Sequence, residues 1–192
     1  MRTSEIKRNT KETKIEMKLN LDATGKFDGN SGIGFFDHML NILTFYAKVD
    51  IKLNCIGDLN TGAHHTVEDI GIVFGIALKN ALEDKIGVAR FGGCFLPMDE
   101  ALVNVNLDIS GRGCLIFNVS FTSERVWDFE TELVEEFFRA VVVNAGITLH
   151  INLEYGKNTH HIIEAIFKGF GVSLRQAIEK TGTQINSSKG VI

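Results

Sequence analysis

The sequence predicts an α+β chain made of two copies of one β-β-α-β-α half. This is a ferredoxin-like, or split βαβ, arrangement with the helices of each half packed on one face of its sheet. Three observations predict it. A His-His-x-x-Glu signature occurs twice, at His64 and at His160, an offset of 96 (160 minus 64) in a chain of 192 residues. Short stretches alternate between apolar and polar residues with the period of a half-buried strand. Longer stretches repeat apolar residues with helical spacing.

The repeat sets the domain organisation. Downstream of the two signatures Ile70 matches Ile166, Phe74-Gly75 matches Phe170-Gly171, Leu78 matches Leu174, Ala81 matches Ala177 and Glu83 matches Glu179. A register held over five helical turns marks a duplication. The halves are residues 1–90 and 91–192, with the junction between Val88 and Gly93.

In the first half, the alternation from Ile15 to Leu21 reads as a strand with one buried face, after a polar, strand-like N-terminus. Gly25 to Gly34 is rich in turn residues. Phe36 to Ala47 places Phe36, Met39, Leu40 and Leu43 on one helical face, Val49 to Ile56 alternates again, and His65 to Glu83 is a long helix. In the second half, Ala101 to Ile109 and Cys114 to Phe121 read as strands around Ser110-Gly111-Arg112-Gly113. A helix runs from Glu132 to Asn144 with Thr131 as its N-cap. Ile147 to Leu153 is a strand and His161 to Lys180 a helix.

Composition narrows the function classes. Apolar residues make up 44% and charged residues 23%, and the net charge is -4. That is a globular composition without the basic footprint of a nucleic-acid binder or a polybasic membrane patch. No apolar run approaches the roughly 20 residues that span a bilayer. The N-terminus has neither the apolar core of a signal peptide nor the character of a transit peptide, so a cytoplasmic location is expected. Cys55, Cys94 and Cys114 fit neither a zinc knuckle nor a disulfide framework and read as reduced thiols.

The histidines carry the chemistry. His38, His64, His65, His160 and His161 are five of the six in the chain. On a helix, His64 and Glu68 are i,i+4 neighbours and His65 and Glu68 are i,i+3, so imidazole and carboxylate can chelate one divalent cation. Adjacent histidines diverge by about 100°. The two rings of a pair are therefore expected to serve two different metals, each completed by the other half or by a second subunit. A single copy could be a solvated helix N-terminus; two copies in equivalent positions argue for metal. Imidazole and carboxylate without thiolate suit Mn²⁺, Fe²⁺, Co²⁺ or Zn²⁺. His150, in mid-strand with Asn54 at the corresponding place, reads as a partly buried or interfacial side chain.

Six segments together resemble one family, imidazoleglycerol-phosphate dehydratase. They are Arg8-Asn9-Thr10-Lys11-Glu12-Thr13, Gly32 to Leu40, His64 to Asp69, Pro97 to Leu102, Asn158 to Lys168, and Ser187-Ser188-Lys189-Gly190. The resemblance covers essentially the whole chain. It implies dehydration of imidazole glycerol phosphate to imidazole acetol phosphate in histidine biosynthesis. It also implies two Mn²⁺ ions per active site and a homo-oligomer of 24 subunits with sites between subunits. A substrate ring held as an imidazolate between two cations can take up the electron pair left by the lost proton and expel the C3 hydroxyl, the cations acting as Lewis acids and template.

Carried onto this chain, the metal ligands are His38, His64, His65, Glu68, His160, His161 and Glu164. Glu136 joins them in Val134-Glu135-Glu136-Phe137-Phe138, where many relatives have a histidine. Glu12 matches the proton-transfer residue. Arg90, Arg112, Ser187, Ser188 and Lys189 match phosphate-binding positions, the last three on a C-terminal substrate-binding tail. One departure stands out. Relatives carry acidic residues just before the first His-His, where this chain has Thr61-Gly62-Ala63, so the first pair is expected to lack the carboxylate that orients metal-bound imidazoles. Two rivals remain at this level: a dinuclear metallohydrolase, which would cleave generic phosphate esters, and a non-catalytic, metal-organised assembly, which would need no phosphate pocket.

Overall fold

The two halves fold into matching four-stranded sheets, each covered on one face by two helices, in a computed structural model that describes residues 1–192. The first half contains β1 (Thr3–Asn9), β2 (Thr13–Asn20), β3 (Phe27–Asn30), α1 (Gly34–Ala47), β4 (Asp50–Gly57) and α2 (His64–Leu82). The second contains β5 (Phe91–Met98), β6 (Ala101–Asp108), β7 (Cys114–Asn118), a short hairpin of β8 (Arg125–Val126) and β9 (Phe129–Glu130), α3 (Leu133–Ala145), β10 (Thr148–Tyr155) and α4 (Thr159–Ile178). Strand order is β1-β2-β4-β3 in one sheet and β5-β6-β10-β7 in the other. In each, the last strand pairs parallel to its neighbour and the other pairings are antiparallel.

Alternation produces these strands as the sequence predicts: in β2, Ile15, Met17 and Leu19 are buried while Lys14, Glu16 and Lys18 face solvent. Each four-stranded sheet nonetheless holds one strand more than the pattern shows, because the extra edge strands carry turn residues. β3 reads Phe-Asp-Gly-Asn, and a side chain at Gly29 would meet the Cβ of Leu53 at 2.7 Å. Gly92 and Gly93, which read as a junction, lie inside β5; a Cβ on Gly92 would stand 1.9 Å from the carbonyl oxygen of Ser173, so α4 rests directly on this strand. Two further details differ from expectation. Thr131 does not cap α3; its hydroxyl donates to the carbonyl of Ser123, and Glu132 occupies the cap position without a side-chain bond. The strand from Cys114 stops at Asn118.

Superposing elements rather than motifs refines the duplication. The signature helices keep the offset of 96, but β10 and β4 are 98 apart (148 minus 50), as are the last residues of α3 and α1 (145 minus 47). The difference is a loop two residues longer ahead of α2. His150 therefore corresponds to Lys52 rather than Asn54, and it lies exposed on β10. The β5–β6 hairpin repeats the β1–β2 hairpin at an offset of 88, with Phe91 opposite Asp108 as Thr3 is opposite Asn20.

Helices of one half pack against helices of the other, α2 on α3 and α4 on α1. Gly71 meets Phe137 and Gly75 meets Val141 in one pair, and Glu164 lies beside His38 and Gly171 beside Leu43 in the other, so the paired helices run parallel with their N-termini side by side. Both crossings depend on a glycine of the repeat. A Cβ on Gly75 would lie 2.6 Å from the carbonyl oxygen of Val141, and one on Gly171 would lie 2.8 Å from that of Leu43. One continuous core of 49 residues runs through both halves, with Phe36, Phe137, Phe138, Phe167 and Phe170 stacked at its centre. No helix is long and apolar enough to cross a membrane.

These crossings generate a stability prediction. Alanine at Gly75 or Gly171 gains up to about 1 kcal/mol of helix propensity, but the forced separation of the helices outweighs it, for a net loss of about 2 kcal/mol. Urea midpoints of the two variants should both fall; a rise in either would show that the glycine is not required for packing.

Candidate metal centre

The parallel pairing of α1 and α4 brings together three side chains distant in sequence. His38 projects from the second turn of α1, and His160 and Glu164 from the first turns of α4. Glu164 Oε2 lies 3.1 Å from His160 Nε2 and 3.8 Å from His38 Nε2, and all three ligand atoms fall within 4.8 Å of one another. Donors that share an ion at about 2.1 Å each stand roughly 3 to 4 Å apart, as Glu164 already does from each of the two histidines. The Glu164 side chain is only 12% exposed. Burial pushes its carboxyl up, but the Lys168 ammonium at 2.7 Å and the His160 ring outweigh burial and hold it below the ordinary carboxylate range. A charged ligand is thus kept ready in a dry place.

The equivalent positions of the other half form a looser arrangement. His64 Nε2 stands 3.7 Å from Glu68 Oε2 on α2. Glu136, on the first turn of α3, faces Arg139 at 3.8 Å and is not gathered with them. One chain therefore closes a three-donor group on the α1–α4 side and holds a donor pair on the α2–α3 side.

The second histidine of each pair is turned by a carboxylate. His65 Nδ1 meets Asp58 at 3.0 Å and His161 Nδ1 meets Glu100 at 2.7 Å. Each ring thereby keeps Nε2 free, facing Glu12 and Asp99 respectively, both at 3.8 Å. The expectation that the first pair lacks an acidic orienting group is corrected here. Asp58 supplies it from the start of the longer loop, beyond the Thr61-Gly62-Ala63 stretch. The bond from His65 holds the Asp58 carboxyl below its usual range and raises the imidazole. The bond from His161, with the backbone N–H groups of Asn158 and Lys157, draws Glu100 down to about 2 and lifts His161. Asn158 also caps α4, its side chain accepting from the N–H groups of His160 and His161.

The candidate phosphate residues assemble elsewhere. Arg90 donates to both carboxylate oxygens of Asp108, at 2.8 and 3.3 Å, and to the carbonyl of Asn186, which ties it to the tail carrying Ser187, Ser188 and Lys189. The tail folds back so that Ile192 borders Gly111, next to Arg112. This cluster sits at the far end of α4, because the Arg90 N–H donates to the carbonyl of Ala177. At a rise of 1.5 Å per residue, the 13 residues from Glu164 to Ala177 separate the metal group from it by about 20 Å.

Sequence reasoning did not single out Asp58, Glu100, Lys168 or the β8–β9 hairpin. Lys168 was legible as the i,i+4 partner of Glu164. Asp58 and Glu100 lie on loops and carry no periodic signal. The hairpin has no counterpart in the first half. Its Asp128 carboxylate accepts from the N–H groups of Gly34 and Phe35 at 2.9 and 3.3 Å, capping α1 beneath His38. Its Trp127, with a positive φ of 54°, sets the indole 5.9 Å from the ring of His160.

Comparison with known proteins identifies the family. The family model described as imidazoleglycerol-phosphate dehydratase matches residues 31–174. The chain is 52% identical to an imidazoleglycerol-phosphate dehydratase of Clostridium botulinum (strain Alaska E43 / Type E3), over all of this chain and 98% of that relative. It is 48% identical to one of Exiguobacterium sp., over all of this chain and 99% of the relative. Among solved structures, the dehydratase of Staphylococcus aureus superposes with a TM-score of 0.85 at 44% identity, covering 93% of this chain and 99% of that one. The Pyrococcus furiosus enzyme in complex with (S)-C348 superposes with a TM-score of 0.84 at 36% identity, covering 97% and 100%.

Two predictions follow from the site's geometry. Trp127 is the only tryptophan. Titrating Mn²⁺ into metal-stripped protein should quench its fluorescence, and His160→Ala should abolish that response; quenching that survives His160→Ala would place the ion elsewhere. The second concerns the bond between Glu100 and His161. The Glu100 contribution to stability is full above its ordinary pKa of 4.5 and fades as pH falls toward about 2. The His161 contribution is full below its ordinary 6.5 and fades as pH rises through its raised value. In metal-free protein, Glu100→Gln should therefore lower Tm more at about pH 5.5 than at about pH 8. An equal loss at both would show that Glu100 acts only as a cap on α4.

Proposed function

The chain belongs to the imidazoleglycerol-phosphate dehydratase family, and from that premise we propose that it removes water from imidazole glycerol phosphate to give imidazole acetol phosphate, using two Mn²⁺ ions per active site. As a member of the family it is a hydro-lyase of histidine biosynthesis. The observation that carries the finer reading is the group His38, His160 and Glu164, preformed across the two halves within 4.8 Å.

In this reading His38, His160 and Glu164 hold one ion and His64, Glu68 and Glu136 the other, while the free Nε2 atoms of His65 and His161 complete shells on neighbouring subunits. When bound, the ions supply Lewis acidity that stabilises the substrate ring as an imidazolate. Asp58 and Glu100 fix the tautomers of His65 and His161 by accepting from Nδ1, leaving Nε2 as the ligating atom. Lys168 keeps Glu164 ionised. Glu12, at the tip of the β1–β2 hairpin and 3.8 Å from His65 Nε2, takes the proton from the substrate carbon. Arg90, Arg112, Ser187, Ser188 and Lys189 hold the phosphate; arginine offers a planar fork and lysine a point charge.

The spacing of these groups supports a shared site. Some 20 Å of α4 separate the metal ligands from the phosphate cluster of the same chain, more than one molecule of an imidazole and a three-carbon phosphate chain can bridge. The metal group of one subunit and the tail of another must therefore face one substrate, consistent with self-association, for which we propose 24 subunits in the cytoplasm. Large exposed apolar side chains on the strands, among them Ile56, Phe91 and Phe95, supply surface for such contacts.

The test is turnover by metal-stripped protein with and without Mn²⁺, following the ketone product and, in parallel, free phosphate. Ketone that forms only with Mn²⁺, without phosphate release, is the expected result. Phosphate release would identify a metallohydrolase, and no product despite bound Mn²⁺ would leave a metal-organised assembly. Glu68→Ala and Glu164→Ala should each abolish turnover.

A further inference from the structure

Glu12 and Glu100 occupy equivalent places on the two duplicated hairpins, at the offset of 88 (100 minus 12) that relates β1–β2 to β5–β6. Their environments have diverged. Glu100 is fully engaged: it accepts from His161 Nδ1 and from the N–H groups of Lys157 and Asn158. Glu12 accepts no hydrogen bond within the chain, because Asp58 has taken over the Nδ1 of His65. A carboxylate released from structural duty gains freedom to react and loses what held it in place. Some other contact must aim it.

That contact is a buried polar clamp one step down the same hairpin. Asp69 follows Glu68 on α2, and its side chain is 8% exposed. One carboxylate oxygen accepts from Arg8 Nε at 2.9 Å and ion-pairs with the same guanidinium, and the other accepts from the hydroxyl of buried Thr13. Arg8, next to the last residue of β1, and Thr13, the first of β2, flank the turn that bears Glu12. The turn itself is stiffened by the Thr10 hydroxyl, which accepts from the N–H groups of Glu12 and Thr13 at 3.1 and 2.9 Å. In the second half all three clamp positions are apolar: Leu96 replaces Arg8, Ala101 replaces Thr13 and Ala165 replaces Asp69. The fold therefore does not need the clamp to close this hairpin on its helix. Only the hairpin with the unengaged glutamate has it.

We propose that Asp69, with Thr13 and Arg8, is a positioning device that aims the Glu12 carboxylate at the reacting centre. The inference rests on the reading of Glu12 as the proton-transfer group. Asp69 and Thr13 touch neither metal nor substrate; they act through Glu12.

The experiment compares Thr13→Val, Thr13→Ser and the triple exchange Arg8→Leu, Thr13→Ala, Asp69→Ala, which copies the second half and so retains a packing the fold already uses. Each is measured in the Mn²⁺-loaded, assembled enzyme, alone and combined with Glu12→Gln. Thr13→Val and the triple exchange should lower kcat by about tenfold to a hundredfold, the range for an ångström-scale misplacement of a reacting group. KM and bound Mn²⁺ should stay as in the parent, and Thr13→Ser should recover most of kcat. In the Glu12→Gln background neither exchange should lower kcat further. An unchanged kcat in Thr13→Val and the triple exchange, or an equal loss with and without Glu12, overturns the positioning role. Full turnover by Glu12→Gln itself would instead overturn the proton-transfer reading.

Discussion

The approach of α4 to α1 at Gly171, and of α2 to α3 at Gly75, fixes where every candidate metal ligand can reach. Without a Cβ at these points the helix backbones come close enough for parallel pairs to form with their N-termini level. His38 can meet Glu164 only because of that alignment, since the two residues lie on helices of different halves. The same alignment gathers helix N-termini, whose unpaired N–H groups and dipoles favour nearby negative charge. Ionised Glu164, Asp128 over α1 and Glu100 over α4 all use this bias.

Duplication gave the chain two of everything, and the differences between the copies show what each site requires. The longer loop ahead of α2 admits Asp58, so orientation of His65 passes from the hairpin glutamate to a loop aspartate. The shorter loop ahead of α4 leaves that task with Glu100. The β8–β9 insertion caps α1 and sets Trp127 beside His160 on one side only. Trp127 adopts a left-handed backbone that disfavours a bulky side chain, which persists because Asp128 anchors the turn to α1. Two centres descended from one motif are thus unequal in closure, wall chemistry and hydrogen bonding.

Most of the fold was legible because it rests on periodicity. Alternation marked β2, β4, β6 and β10, helical spacing marked the four helices, and a 96-residue self-match marked the halves. What escaped rests on contacts rather than pattern. β3 and β5 contain glycines placed by the approach of Leu53 and of α4, so they read as turns. The candidate site divided along the same line. His160, Glu164 and the paired His64 and Glu68 followed from helical spacing, whereas His38 came from resemblance and its convergence on α4 from tertiary packing. Asp58 was missed because a loop residue seven positions from its partner leaves no trace in sequence. The clamp on Asp69 was hidden although Arg8, Thr13 and Asp69 all lie in segments that carry the resemblance, since their contacts cross from a hairpin to a helix.

In the proposed reading, the separation between the candidate metal ligands and the candidate phosphate cluster makes assembly part of the chemistry rather than an accessory property. Within one chain the two lie at opposite ends of α4, and that helix is packed along its length between a sheet and α1. No hinge motion of a continuous, buried 20-residue helix could bring its ends together. In the proposed reading, the Nε2 atoms of His65 and His161, free of hydrogen bonds within the chain, also ligate ions on neighbouring subunits, so each shell closes only against a neighbour. An ion that binds the assembled form and not the separate chain stabilises the assembly by its own binding free energy, while proximity of subunits raises affinity for the ion in equal measure. Metal loading and subunit association are then a single linked equilibrium, and a change at either is felt at the other through the histidines they share.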